Sequence, residues 1–208
     1  MHSYWDDRFS KEGYVWGISP SQTAEYALAF FRKHNVKSIL VPGAGYGRNT
    51  RFFSSAGLAV TGVEISEVAC GMTREFDPQT VFHHGSALDM SFSPDLFDAI
   101  YCFNTLHLFL EKNREQFLKE CARKLKANGL LFFTVFSEKE ENFGKGKEVE
   151  KNTFESRPGR PAHYFTEEDM RAHFKDFSVL ESGVFLDSEE HGEGPHTHIL
   201  RYIAARKC

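Results

Sequence analysis

Gly43, Gly45 and Gly47 stand at alternate positions directly after an apolar run, Ile39, Leu40 and Val41. Glycine at such a turn lets the backbone approach a ligand where any side chain would collide. A helix-like segment follows, stops at Gly57, and leads to a second apolar run that ends on a single acid, Glu64. Strand, glycine turn, helix, strand and terminal acid form the unit by which a parallel sheet holds a nucleoside. The acid at the tip of the second strand can accept hydrogen bonds from both ribose hydroxyls. Spacing narrows the choice of nucleoside. A dinucleotide fingerprint, G-x-G-x-x-G, would put its third glycine at position 48, where this chain has Arg48. A pyrophosphate needs the bare helix N-terminus which that glycine keeps open; a ligand without phosphate does not.

A second group of chemically able residues lies near the C-terminus. His191, His196 and His198 spell H-x4-H-x-H around Gly192, Gly194 and Pro195. In an extended chain His196 and His198 point to one face. Three imidazoles can bind zinc, yet no cysteine or carboxylate completes a recognisable ligand spacing, so the sequence assigns no metal. A substrate-side role for one histidine and a solvated loop are the other readings. Tyr14 and Trp16 precede a Ser-Pro helix start. Their π faces suit a cation that lacks hydrogen-bond donors, or equally the packing of a first helix onto a sheet.

The elements that must position these groups alternate in type. Ser19, Pro20 and Gln22 mark a helix start, with a serine cap, proline at the first helical position and glutamine three residues after the cap. That helix runs to about residue 34. Strands at 38–41 and 59–64 flank a helix over 48–56. Ser66 caps a helix to about 75, followed by a short strand at 80–82, a loop at 85–96 and a buried strand at 97–104. Phe117, Leu118, Cys121 and Leu125 give the amphipathic spacing of a helix over 113–125, with Gly129 beyond its end. A strand at 130–136, a helix from the Thr166 cap to about 174, and strands at 177–184 and 198–205 complete the series. This predicts the α/β class: a single doubly wound, Rossmann-like, mostly parallel seven-stranded sheet with helices on both faces and the last strand antiparallel. Residues 1–208 read as one domain, with 1–35 as an N-terminal cap segment. Residues 137–165 are polar, contain Gly144, Gly146 and Gly159, and interrupt the alternation. They read as a lid loop at the C-terminal edge of the sheet, or as a mobile excursion.

At 208 residues the chain suits one domain that buries roughly 70% of its unfolded surface. A net charge of −4, with both signs mixed along the chain, argues against a nucleic-acid partner. No run approaches the roughly 20 apolar residues of a membrane span. Asp6 and Asp7, with no apolar core beside them, argue against a signal peptide. Cys70, Cys102, Cys121 and Cys208 are scattered without a C-x-x-C pair, which predicts reduced thiols in a cytoplasmic protein. Oligomeric state leaves no mark in this sequence.

The G-x-G-x-G turn, with an acid ending the second strand, resembles the first motif of the class I S-adenosylmethionine-dependent methyltransferases, and the likeness extends over nearly the whole chain. Gly47-Arg48-Asn49-Thr50, together with the opening Tyr4-Trp5-Asp6-Asp7-Arg8-Phe9 and Tyr14-Val15-Trp16-Gly17, resembles the tellurite-resistance-type branch. Val41-Pro42-Gly43 is similar to the thiopurine- and thiol/halide-type enzymes. The resemblance implies S-adenosylmethionine as cofactor and methyl transfer to a small-molecule acceptor, thiol or chalcogen favoured, by in-line displacement. It implies Gly43, Ala44 and Gly45 beneath the methionine and ribose, with Arg48 and Asn49 beside them. Glu64 would hold the ribose hydroxyls, next to Ile65. Ser86, Ala87 and Leu88 would meet the adenine, Phe103 and Asn104 the methionine and methyl group, and Tyr14 and Trp16 would close over the cofactor. Two positions depart from the family pattern: Ser86 replaces a frequent aspartate, and Val41 replaces an acid two residues before the first glycine. His107, just past Asn104, reads as a histidine satisfied at a helix start. A chalcogen acceptor needs little base assistance; an oxygen or nitrogen acceptor needs a base, for which His163, His196 and His198 are candidates. The rival readings are a non-catalytic S-adenosylmethionine-binding module and an NAD(P)-dependent reductase.

Overall fold

Ile39, Leu40 and Val41 are wholly or almost wholly buried, because the strand that carries them has helices on both faces. Ile39 and Val41 pack on one side of the sheet, Leu40 on the other. The computed structural model describes residues 2–92, 96–157, 159–191 and 194–208, without the side chains of His2, Ser3, Glu190 and His191. Seven strands make the main sheet: β1 (Ser38–Pro42), β2 (Ala59–Glu64), β3 (Val81–His84), β4 (Phe97–Phe103), β5 (Leu125–Phe136), β9 (Phe177–His191) and β10 (Gly194–Lys207). Their order is β3-β2-β1-β4-β5-β10-β9. Pairing is parallel from β3 to β5, and β10 runs antiparallel to both β5 and β9. The direction of strand addition reverses between β1 and β4, so a crevice opens beyond their C-terminal ends.

The strands' two periodic faces set the layers. Ala99, Tyr101, Leu130 and Phe132 join Phe31 of α2 (Gln22–Lys33) and Phe53 of α3 (Arg48–Ser55) on one side. Ile100, Cys102, Leu131 and Phe133 join Phe117 and Cys121 of α5 (Glu111–Lys124) and Met170 of α6 (Glu167–His173) on the other. α4 (Glu67–Phe76) begins at Ser66, whose hydroxyl accepts the Ala69 N–H at 3.1 Å as its cap. Thr166 caps α6 in the same way through the Asp169 N–H.

Four local expectations change. The first predicted helix starts at Gln22 with Ser21, not Ser19, at the cap position. Ser21 spends its hydroxyl on Tyr101, 2.9 Å away, and its N–H on Asn49, so that end is held by tertiary polar contacts. α1 (His2–Glu12) is an additional helix. The predicted lid loop is instead an antiparallel three-stranded sheet, β6 (Lys147–Glu150), β7 (Thr153–Arg157) and β8 (Arg160–His163), framed by turns. The last two strands are longer than 177–184 and 198–205, forming a hairpin that extends past the end of β5. No helix among the described residues is long and apolar enough to cross a membrane. Of the cysteines, Cys102 and Cys121 are buried, Cys70 is half-buried and Cys208 is exposed, all as free thiols.

Candidate active site

The glycine turn takes its shape from its lack of side chains. Gly43, Gly45 and Gly47 all have left-handed backbone, with φ of +70°, +57° and +97°. A Cβ on Gly43 would lie 2.2 Å from the Thr105 hydroxyl oxygen, on the loop after β4. A Cβ on Gly45 would point the other way, 3.8 Å from Phe9 and 4.0 Å from Trp16. The turn is thus wedged against β4 below and faces an aromatic roof above.

Glu64 ties the turn to the next helix. One carboxylate oxygen accepts the Gly45 N–H at 2.8 Å and the other accepts the Ser66 N–H at 2.8 Å. Burial pushes its carboxyl above the usual range, and the two backbone donors oppose that rise. A carboxylate offers about four acceptor positions, so two remain for ligand hydroxyls.

A cavity of about 820 Å³ lies over this turn. Trp16, Gly43, Ala44, Gly45, Arg48, Asn49, Glu64, Ile65, Ser86, Ala87, Phe103 and Asn104 line it, as do His196 and His198. Asn104 ends β4 with a φ of +52°, a conformation asparagine tolerates better than most residues, and its backbone N–H bonds Thr134. Ser86 accepts the Leu88 N–H at 3.1 Å.

Three predicted residues sit elsewhere. Tyr14 is half-exposed and packs its ring 5.1 Å from both Tyr46 and Phe76, outside the cavity wall, because Tyr46 occupies the space between. Leu88 packs against the core beneath α5 rather than in the cavity. His163 is buried between the Thr153 hydroxyl at 2.7 Å and the Asp169 carboxylate, and burial lowers its basicity. It does not line the cavity over the glycine turn. His107 does line the wall, stacked on Phe136, with burial depressing its pKa to about 3. It is neutral and accepts the Phe136 N–H at 3.4 Å.

Several cavity residues escaped sequence reasoning. Trp5, Arg8 and Phe9 come from α1, Arg157 and Arg160 from the small sheet, and Glu189 from β9. Arg160 lies over the Tyr4 ring, 4.0 Å from its centroid, and joins the small sheet to α1. Tyr46, between two glycines, is buried; its hydroxyl donates to Gly17 at 2.7 Å and accepts the Trp16 N–H at 3.0 Å. A large aromatic inside a glycine turn was the available signal. Arg48 donates to the Trp16 carbonyl at 3.1 Å and pairs with Glu189. The position that a dinucleotide site would leave bare therefore holds a buried cation.

These features coincide with what comparison finds. Residues 40–133, which contain the glycine turn, Glu64 and the end of β4, match the family described as a methyltransferase domain. Among solved structures, the chain is similar to one described as "Conversion of a Disulfide Bond into a Thioacetal Group during Echinomycin Biosynthesis", with a TM-score of 0.78, 16% identity and coverage of 100% of this chain and 93% of that one. It is similar to the 1,6-didemethyltoxoflavin-N1-methyltransferase of Burkholderia thailandensis, with bound 1,6-didemethyltoxoflavin and S-adenosylhomocysteine, at a TM-score of 0.73 and 19% identity over 99% of this chain and 86% of that one. It is also similar to TehB from Haemophilus influenzae, at a TM-score of 0.68 and 16% identity over 98% of this chain and 67% of that one. At these identities the likeness is one of fold. No curated protein is similar enough in sequence to match. The chain thus carries a methyltransferase-domain match over residues 40–133 and, over its whole length, the fold of the class I S-adenosylmethionine-dependent methyltransferases.

Proposed function

We propose that this enzyme transfers a methyl group from S-adenosylmethionine to a small thiol or chalcogen acceptor, bound in the outer half of the cavity. The observation that carries the reading is the meeting of the glycine turn, Glu64 and the arginines Arg8, Arg157 and Arg160 in the wall of one cavity. In it the adenosine lies over Gly43, Ala44 and Gly45, with the ribose hydroxyls on Glu64 and Ile65 beside them. Ser86 and Ala87 face the adenine, and Phe103, Asn104 and Asn49 face the methionine. Trp16 supplies a π face to the sulfonium, whose charge it suits better than a salt bridge would.

Arg8, Arg157 and Arg160 line the same cavity. Three guanidinium groups favour a thiolate or a chalcogen oxyanion over a neutral or cationic acceptor. In-line displacement then needs alignment of nucleophile, methyl carbon and leaving sulfur, and exclusion of water. No proton has to be removed from a thiolate. α1 and the three-stranded sheet form the lid that excludes solvent. The likeness to the structure concerned with a disulfide and a thioacetal accords with a sulfur acceptor.

The test is release of S-adenosylhomocysteine with a panel of thiols, tellurite, selenite, amines and hydroxy compounds. Turnover with thiols or chalcogen oxyanions supports the proposal. Turnover confined to amines or hydroxy compounds overturns the acceptor class and passes the base role to His196 or His198, which line the cavity.

A further inference from the structure

We propose that the β9–β10 hairpin carries a binding site for a divalent transition-metal ion, with Glu189, His196 and His198 as its ligands. One ligand atom from each of these side chains lies within 4.8 Å of the other two. The hairpin register produces this grouping: His196 stands opposite Glu189, and His198 opposite Asp187. Positions 196 and 198 share a face of β10, and 187 and 189 share a face of β9. Two cross-strand pairs therefore stack on one patch.

The imidazoles are already oriented. His196 Nδ1 bonds the Gly194 carbonyl at 3.0 Å, and His198 Nδ1 lies 3.2 Å from the Glu140 carboxylate. A carbonyl or carboxylate on one ring nitrogen fixes the tautomer that presents the other nitrogen's lone pair, as in histidines that bind metals. Glu189 is likewise oriented by Arg48 through one oxygen.

Charge supplies a second, independent observation. Three carboxylates, Asp187, Glu189 and Glu140, gather around the two imidazoles, with Arg48 paired to Glu189 and Glu140 placed 3.2 Å from His198. Asp187 is fully buried, and its Oδ2 has no hydrogen-bond partner among the described residues. A divalent cation would offset these carboxylates. Two imidazoles and a carboxylate suit zinc and its first-row neighbours rather than magnesium or calcium. Zinc ligands with bonds of about 2.0–2.1 Å sit roughly 3.4 Å apart in a tetrahedron, so the three atoms would draw together by up to about 1.4 Å on binding. All three residues line the cavity, so an ion there would meet the acceptor.

The experiment titrates the chelator-treated full chain with cobalt(II), followed by visible ligand-field absorption, with zinc(II) as competitor. One cobalt per chain, displaced by zinc, is expected. His196→Ala, His198→Ala and the volume-conserving Glu189→Gln should each weaken binding at least about tenfold. His34→Ala, at the far end of α2, should leave it unchanged. Circular dichroism confirms that each variant is folded, and S-adenosylmethionine binding is measured in parallel. Absence of cobalt absorption up to millimolar metal in a chain that binds S-adenosylmethionine overturns the metal site alone. Wild-type cobalt affinity in the folded histidine and glutamate variants overturns it equally.

Discussion

Glu64 joins the glycine turn to α4 and offers its remaining lone pairs to the cavity. Hydrogen bonds to a charged group contribute about 1.5–3 kcal/mol each. Glu64→Ala should therefore raise the dissociation constant for S-adenosylmethionine by about 10- to 100-fold in calorimetry. An unchanged constant would remove Glu64 from the site. Gly43 is constrained by backbone and by neighbour at once. Gly43→Ala combines a left-handed alanine with a Cβ 2.2 Å from the Thr105 hydroxyl. It should cost about 2–5 kcal/mol in denaturant unfolding. Thr105→Ala in the same chain should recover the overlap part and leave the φ part. At this scale residue type and spacing alone were enough to bring Gly43, Gly45, Glu64 and Asn104 to one cavity wall. It was silent where the task depends on a partner from another element. Glu189 becomes a neighbour of His196 only through hairpin register, and Arg160 reaches the cavity only through the small sheet.

Among the elements, the alternation of strand and helix through β5 was readable because its central strands, β1, β4 and the second half of β5, are buried on both faces. α1 was not. Its apolar residues Trp5 and Phe9 pack on Trp16 and Tyr46 rather than on the sheet, and Asp6 accepts from the Ser66 hydroxyl at 2.6 Å to dock it on α4. The strands β6, β7 and β8 are short and bury only Thr153 and His163, so their pairing, not their hydrophobicity, defines them. The hairpin's outer half is polar because it faces the cavity and solvent, which erased the usual strand pattern there. As a lid, α1 and the small sheet should gain hydrogen-exchange protection when S-adenosylmethionine binds. Arg160→Ala removes the contact with Tyr4 and Trp5 that joins them. Most of the gained protection in α1 should then be lost, while β1 and β4 keep theirs. Equal protection in variant and wild type would contradict the lid.

For the molecule as a whole, the buried patch under the hairpin couples stability to pH. Burial, and then the charge of Glu189, push the Asp187 carboxyl up from 3.8 to about 6. The folded state thus holds this proton more tightly than the unfolded chain. The associated stability is complete below about pH 3.8 and is lost as pH rises through about 6. In metal-free protein, Asp187→Asn should gain up to about 3 kcal/mol over wild type at pH 8 and nothing from this source at pH 4, measured by urea unfolding. A variant less stable than wild type at pH 8 would contradict the cost assigned to the buried charge. Cofactor binding should act on the whole fold as well. S-adenosylmethionine at a hundredfold excess over its dissociation constant adds about 2.7 kcal/mol, raising the melting temperature by about 5–10 °C.

Calorimetric titration of the wild-type chain and of Glu64→Ala, with S-adenosylmethionine in one series and NADH in the other, bears most directly on the grip of glycine turn and acid on a phosphate-free adenosine. One S-adenosylmethionine per chain at micromolar affinity (order of magnitude), weakened in Glu64→Ala, and no heat from NADH is the expected result. No heat from S-adenosylmethionine, or a saturable signal from NADH in its place, would contradict it.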